Sequence, residues 1–123
     1  MSNLKMISLS IVSILLLGLT SLNSYAKDPS ELVEAFCYAL QVSMFCDDLK
    51  MGVDTEGKIE KQLGTEIRGP KSPYNKDCLK GLNKALDAYD AGKTNCLDAW
   101  EKYGCSGSEV PRLIQRWTSP CAY

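Results

Sequence analysis

The chain has 123 residues, a formal net charge of −1, six cysteines and no histidine. A chain of this length forms one small domain. Because its basic residues neither outnumber the acidic ones nor cluster, we expect no nucleic-acid partner and no strong attraction to an anionic membrane. The lack of histidine excludes a catalytic pair of serine or cysteine with histidine.

The first 26 residues have the pattern of a secretory signal peptide. Lys5 supplies a positive charge, residues 6–19 are almost wholly apolar, and Ser24 and Ala26 place small side chains at a cleavage site. The apolar run is shorter than the roughly 20 residues that a membrane span needs. We therefore predict cleavage after Ala26, export to the periplasm or the medium, no stable membrane anchor, and one mature domain of residues 27–123.

All of the cysteines follow the predicted cleavage site, at Cys37, Cys46, Cys78, Cys96, Cys105 and Cys121. An even number of cysteines in a short exported chain predicts a disulfide framework, here of three bonds whose pairing the sequence leaves open. Zinc sites need closely spaced cysteine pairs or histidines, and this chain has neither. We expect no metal and no cofactor.

A long first helix is predicted over residues 29–49. Asp28 can cap its first turn, and Pro29 suits the first helical position. Cys37 and Cys46 point to opposite sides of a regular helix. They should therefore bond to two different neighbours rather than to each other, which makes this helix the central element.

Four further helices are expected, over residues 53–64, 76–91, 95–103 and 109–117. The helix over residues 53–64 is less regular than the others. Within the helix over residues 76–91, leucine and tyrosine side chains recur at helical spacing and predict its core-facing side: Leu79, Leu82, Leu86 and Tyr89. Trp117 is likewise assigned to the core. No segment alternates in the manner of a strand, so we predict an all-α fold, a small bundle of four to five short helices cross-linked by three disulfides.

The function predicted is that of a non-enzymatic protein-binding module, because the chain has no recognisable catalytic motif. It could serve as an inhibitor, a toxin-neutralising immunity protein or an accessory subunit outside the cytoplasm. Tyrosine, tryptophan and arginine are enriched in binding hot spots. A loop and the C-terminal tail supply such residues and one lysine. The candidate interface is therefore Arg68, Lys71 and Tyr74 in the loop and Arg112, Arg116 and Tyr123 in the tail.

An alternative function is the transport of a small apolar, lipid-like ligand in a cavity between the helices. We rank it second because a small domain is poorly able to leave part of its core unfilled. Small disulfide-bonded helical immunity proteins that act against interbacterial toxins resemble this chain in size, compartment and predicted fold type. That resemblance implies a protein partner, but no shared sequence motif accompanies it.

Overall fold

The computed structural model describes Tyr25 and residues 27–122. The rest of the predicted signal peptide, with its cleavage site at Ala26, lies outside the described residues, as does Tyr123. The described part of the chain is mostly helical, with four helices and two short strands. In chain order these are α1 (Pro29–Phe45), β1 (Leu49–Met51), α2 (Thr55–Leu63), α3 (Asn75–Asp90), α4 (Cys96–Tyr103) and β2 (Ile114–Arg116).

Helix α1 forms the centre of the fold and begins where the sequence predicts. The Asp28 carboxylate accepts a hydrogen bond of 3.2 Å from the Ser30 amide, and Pro29 occupies the first turn. The helix ends at Phe45 rather than at residue 49, because the chain turns sharply after Cys46 and then enters β1. Along its length α1 buries Leu32, Val33, Ala35, Phe36, Cys37, Ala39 and Val42.

Helix α3 packs against α1 through small residues, and this corrects the predicted core-facing side. Its buried positions are Cys78, Gly81 and Ala85. A Cβ added at Gly81 would collide with the carbonyl oxygen of Glu34 and lie 2.9 Å from the amide nitrogen of Tyr38. Only a helix side without bulky residues can approach α1 so closely, so the larger apolar side chains turn outward.

Three of the four α3 residues that the sequence assigned to the core are therefore exposed. Leu79 is 56% exposed, Leu86 38% and Tyr89 55%, whereas Leu82 is partly buried. The Tyr89 ring stacks on Phe45 of α1, with ring centroids 4.1 Å apart.

The predicted last helix over residues 109–117 is wrong, and the segment forms turns followed by β2. This strand pairs with β1 in antiparallel register, with Leu49 opposite Arg116 and Met51 opposite Ile114. Arg112 has a positive φ of 66°, which is incompatible with a continuing right-handed helix. Three apolar residues of the segment are nevertheless buried, Val110, Leu113 and Ile114, whereas Trp117, which the sequence assigned to the core, is exposed.

Three disulfides cross-link the fold, as predicted. Cys37 bonds to Cys78 in α3, Cys46 to Cys96 at the start of α4, and Cys105 to Cys121 in the tail. The two cysteines of the α1 region thus bond to different neighbours, which confirms the inference from helix geometry. Three disulfides in a chain of this size indicate an oxidising environment, periplasmic or extracellular.

Candidate protein-binding surface

At the sheet, Lys50 pairs with Trp117 on one face and Arg116 pairs with Trp100 on the other, because Arg116 and Trp117 are successive residues whose side chains alternate. We call the pair that contains the exposed Trp117 ring, Lys50 and Trp117, the aromatic surface. The Lys50 ammonium lies 4.4 Å from the centroid of the Trp117 ring. The guanidinium carbon of Arg116 lies 4.5 Å from the centroid of the Trp100 ring. Both distances fit cation–π contacts, in which the basic group is attracted to the face of the ring.

Strand pairing explains why Lys50 and Trp117 meet. Lys50 is the cross-strand partner of Gln115, and Trp117 follows Gln115 by two residues. Diagonal neighbours of this kind lie on the same face of a sheet and within reach of long side chains. The contact joins residues that are far apart in the chain, so it depends on the formation of β1 and β2.

The backbone around Trp117 is held in place, although its side chain is 62% exposed. Its amide donates a hydrogen bond of 3.1 Å to the carbonyl oxygen of Asp48. The Asp48 carboxylate lies 4.0 Å from Nε of Arg116. Behind this edge, Gln115 is buried, and its side-chain oxygen accepts a hydrogen bond of 3.1 Å from the Cys121 amide. The ring is therefore presented on an ordered support.

The three loop residues of the predicted interface have different environments. Arg68 donates two hydrogen bonds to Glu56, from Nε at 3.0 Å and from Nη2 at 2.7 Å. This hydrogen-bonded pairing with Glu56 raises the pKa of Arg68, with further contributions from the negative charges of Glu56 and Glu60. Lys71 is exposed, and Tyr74 is half-buried against the core. Arg68 and Tyr74 therefore have structural contacts of their own.

The tail residues of the predicted interface also divide. Arg116 lies over the Trp100 ring, on the sheet face opposite to the aromatic surface. Arg112 is exposed, and its amide donates a hydrogen bond of 2.7 Å to the Gly104 carbonyl. Tyr123 lies outside the described residues. Arg68 in the loop contacts α2, whereas Arg116 in the tail contacts Asp48, the residue before β1, and Trp100 of α4. The loop residues and the tail residues of the predicted interface are therefore linked to different elements.

Sequence reasoning missed Lys50 and Trp100 and assigned Trp117 to the core. The apolar spacing of the segment suggested a helix that would bury the ring. A strand instead places successive side chains on alternate faces. The position of Trp117 beside Lys50 could be inferred only once the β1–β2 pairing was known.

A second cluster, around Tyr103, is structural. The Tyr103 hydroxyl donates a hydrogen bond of 3.1 Å to a carboxylate oxygen of Glu109, and its ring meets Tyr38 edge-on at 5.8 Å. Burial raises the pKa of Tyr103 well above its usual range, and the nearby negative charge of Glu109 adds to the effect. The hydroxyl therefore keeps its proton and links α4 to the turns before β2.

The described residues also bear on metal and membrane binding. In this part of the chain, no group of three or more histidine, cysteine, aspartate or glutamate side chains could hold a metal ion. Of the helices described, none combines the length and the apolar character that a membrane crossing requires.

Comparison of the chain with models of protein families, with curated proteins and with solved structures found no match. The functional argument therefore depends on the geometry of the chain itself.

Proposed function

We propose that this protein is a small exported, non-enzymatic protein-binding module and that the aromatic surface is its contact face. The observation that carries the proposal is Trp117, whose large ring is 62% exposed although its amide is hydrogen-bonded to Asp48, the residue before β1. Tryptophan and arginine are among the residues most enriched in binding hot spots. An exposed tryptophan ring with the Lys50 ammonium against it therefore supports a role in recognition.

The rigidity of the support favours tight binding. Association costs free energy wherever loops and side chains must become ordered at the interface. Here the Cys105–Cys121 disulfide and the β1–β2 pairing fix the segment that carries Trp117 before any partner arrives. The cost of ordering this segment on binding is correspondingly small.

The chemistry of the surface defines the partner that it fits. Lys50 lies against the exposed Trp117 ring, so its positive charge borders a large apolar group. A partner that offers a cleft for the Trp117 ring, with carboxylates at its rim, would complement this surface. An extracytoplasmic hydrolase or toxin that this protein inhibits, or a larger assembly that it joins, fits that description.

The experiment compares partner capture by two variants with matched exposure. Trp117→Ala removes the ring of the aromatic surface, and Leu97→Ala removes an apolar side chain that is 63% exposed on α4. The tagged protein is expressed in its native compartment, and its partner is identified by mass spectrometry and then purified. Loss of a hot-spot tryptophan costs about 2 kcal/mol or more, which weakens binding roughly 30-fold.

We expect Trp117→Ala to show this loss and Leu97→Ala to bind as the unmodified protein does. Circular dichroism must show that both variants are folded. If the two variants bind equally well, the aromatic surface is not the contact face. If the folded protein binds no protein in its native compartment, the proposed function itself is wrong.

The carrier of a small apolar ligand stays the second hypothesis. Two surface depressions, of about 590 Å³ and 230 Å³, are lined largely by charged side chains and do not favour it. Native mass spectrometry of the purified protein tests it directly, because a bound lipid-like molecule adds a discrete mass. The bare polypeptide mass, under conditions that preserve carrier complexes, would count against this alternative.

A further inference from the structure

Helix α3 presents an apolar stripe on its outward side, independently of the aromatic surface. Leu79 and Leu86 lie two turns apart on this side and are 56% and 38% exposed. Asn83 lies between them and is also exposed. An open depression of about 590 Å³ runs along this side, and its lining includes Leu79, Asn83 and Asp87. The stripe and the depression together form a shape that a second helix could fill.

The charges on this side of α3 are divided by sign along the helix. Lys76 and Lys80 lie in the first half, and Asp87 and Asp90 lie in the second half; all four are exposed. A third lysine, Lys84, lines the same depression from the second half, but its ammonium lies over the Tyr38 ring, 5.1 Å from the centroid, and so is directed toward α1. The Lys80 ammonium lies 3.5 Å from a carboxylate oxygen of Glu34 in α1, yet the Lys80 side chain is 72% exposed. Apart from Lys84, the outward side is thus basic at one end and acidic at the other, with Leu79, Asn83 and Leu86 between them.

Such a division of charge makes the surface complementary to itself. In a two-fold dimer the same patch is used by both copies, so each end of an antiparallel helix meets the opposite end of its partner. We propose that α3 is the interface of a homodimer, in which it packs antiparallel against α3 of a second copy of this chain.

The helix rise fixes the register of this pair. When Leu79 is level with Leu86 of the second copy, Lys76 lies about 1.5 Å along the axis from Asp90 of the second copy. In the same register Lys80 lies about 3 Å along the axis from Asp87 of the second copy. Lysine side chains span such offsets easily. Two-fold symmetry then doubles the set to four unlike-charge pairs around a leucine contact.

The proposal is tested by charge reversal and sedimentation equilibrium over a wide concentration range. Lys76→Asp with Lys80→Asp makes the outward side acidic throughout, and Asp87→Lys with Asp90→Lys makes it basic throughout. Because every ion pair becomes a like-charge pair in either double variant alone, each should self-associate roughly tenfold or more weakly than the unmodified chain. An equimolar mixture of the two should restore dimers, as pairs of unlike variants.

The matched control for Lys76→Asp with Lys80→Asp is Lys58→Asp with Lys61→Asp, which makes the same change in net charge but on α2. It should leave self-association unchanged, and circular dichroism should show all variants to be folded. An unmodified protein that is monomeric at every concentration would overturn the proposal. A dimer that resists both α3 double variants, or a mixture that stays dissociated, would also overturn it. None of these results bears on Trp117, so the proposed function is tested separately.

Discussion

Exchanging glycine for alanine at two helical positions should have opposite effects on stability. Gly81 lies on the side of α3 that packs against α1, where a Cβ would collide with the Glu34 carbonyl oxygen. Gly57 lies in α2, and a Cβ there would meet no atom within 4 Å beyond its chain neighbours and the nearby backbone of its own helix. The chemical change is the same at both positions, so the difference isolates the close approach of α1 and α3.

The magnitude follows from two terms. Alanine in place of glycine stabilises a helix by about 0.5–1 kcal/mol, and Gly57→Ala should show this gain alone. At Gly81 the added methyl group meets main-chain atoms that cannot rotate away, and the Cys37–Cys78 disulfide tethers the two helices nearby. Overpacking of this kind costs about 3 kcal/mol, which leaves Gly81→Ala about 2 kcal/mol less stable than the unmodified protein.

The assay is thermal and urea unfolding followed by circular dichroism, with the disulfides intact. A loss of about 2 kcal/mol lowers the melting temperature of a domain this small by about 8–16 °C. Gly57→Ala should melt at a slightly higher temperature than the unmodified protein. A Gly81→Ala variant that is as stable as Gly57→Ala would refute the packing of α3 through its small residues.

Further predictions concern the disulfides and the pH dependence of stability. Replacing Cys46 and Cys96 with alanine opens a sequence separation of 50 residues and should cost about 4 kcal/mol. The same change at Cys105 and Cys121, whose separation is 16 residues, should cost about 3 kcal/mol; an order reversed in urea unfolding would contradict the chain-entropy reasoning. The folded-state pKa of Tyr103 is raised above its ordinary value of 10.0, so the unfolded chain loses this proton first and stability should fall as pH rises above 10.0. Unfolding measured against pH should show a shallower alkaline decline in Tyr103→Phe, and equal slopes would show that Tyr103 does not contribute.

The features predicted correctly from the sequence depend on local geometry. Asp28 and Pro29 start α1 because a cap and a proline act within a single turn. Cys37 and Cys46 bond to different neighbours because nine residues of helix separate two positions by about 180° around the axis, and the chain stays helical up to Phe45, the residue before Cys46. Neither inference needs knowledge of the tertiary contacts.

The errors arise where tertiary contacts decide between two patterns. The leucine stripe of α3 is the more apolar side, but Gly81 on the opposite side permits the closer approach to α1. The spacing of Leu113 and Ile114 fits either a helix or a turn followed by a buried strand, and pairing with β1 selects the strand. At the sheet, the choice of Arg116 as an interface residue stays a prediction from residue type, whereas the exposure of Trp117 could not be foreseen without that pairing.

Site-specific photo-crosslinking tests the proposed contact face most directly. A photoreactive phenylalanine analogue is introduced in place of Trp117 in one variant and in place of Leu97 in another. The folded proteins are irradiated in the native compartment. The account predicts a crosslink from position 117 to one protein partner and none from position 97. A partner crosslinked equally from both positions, or from position 97 alone, would contradict the account.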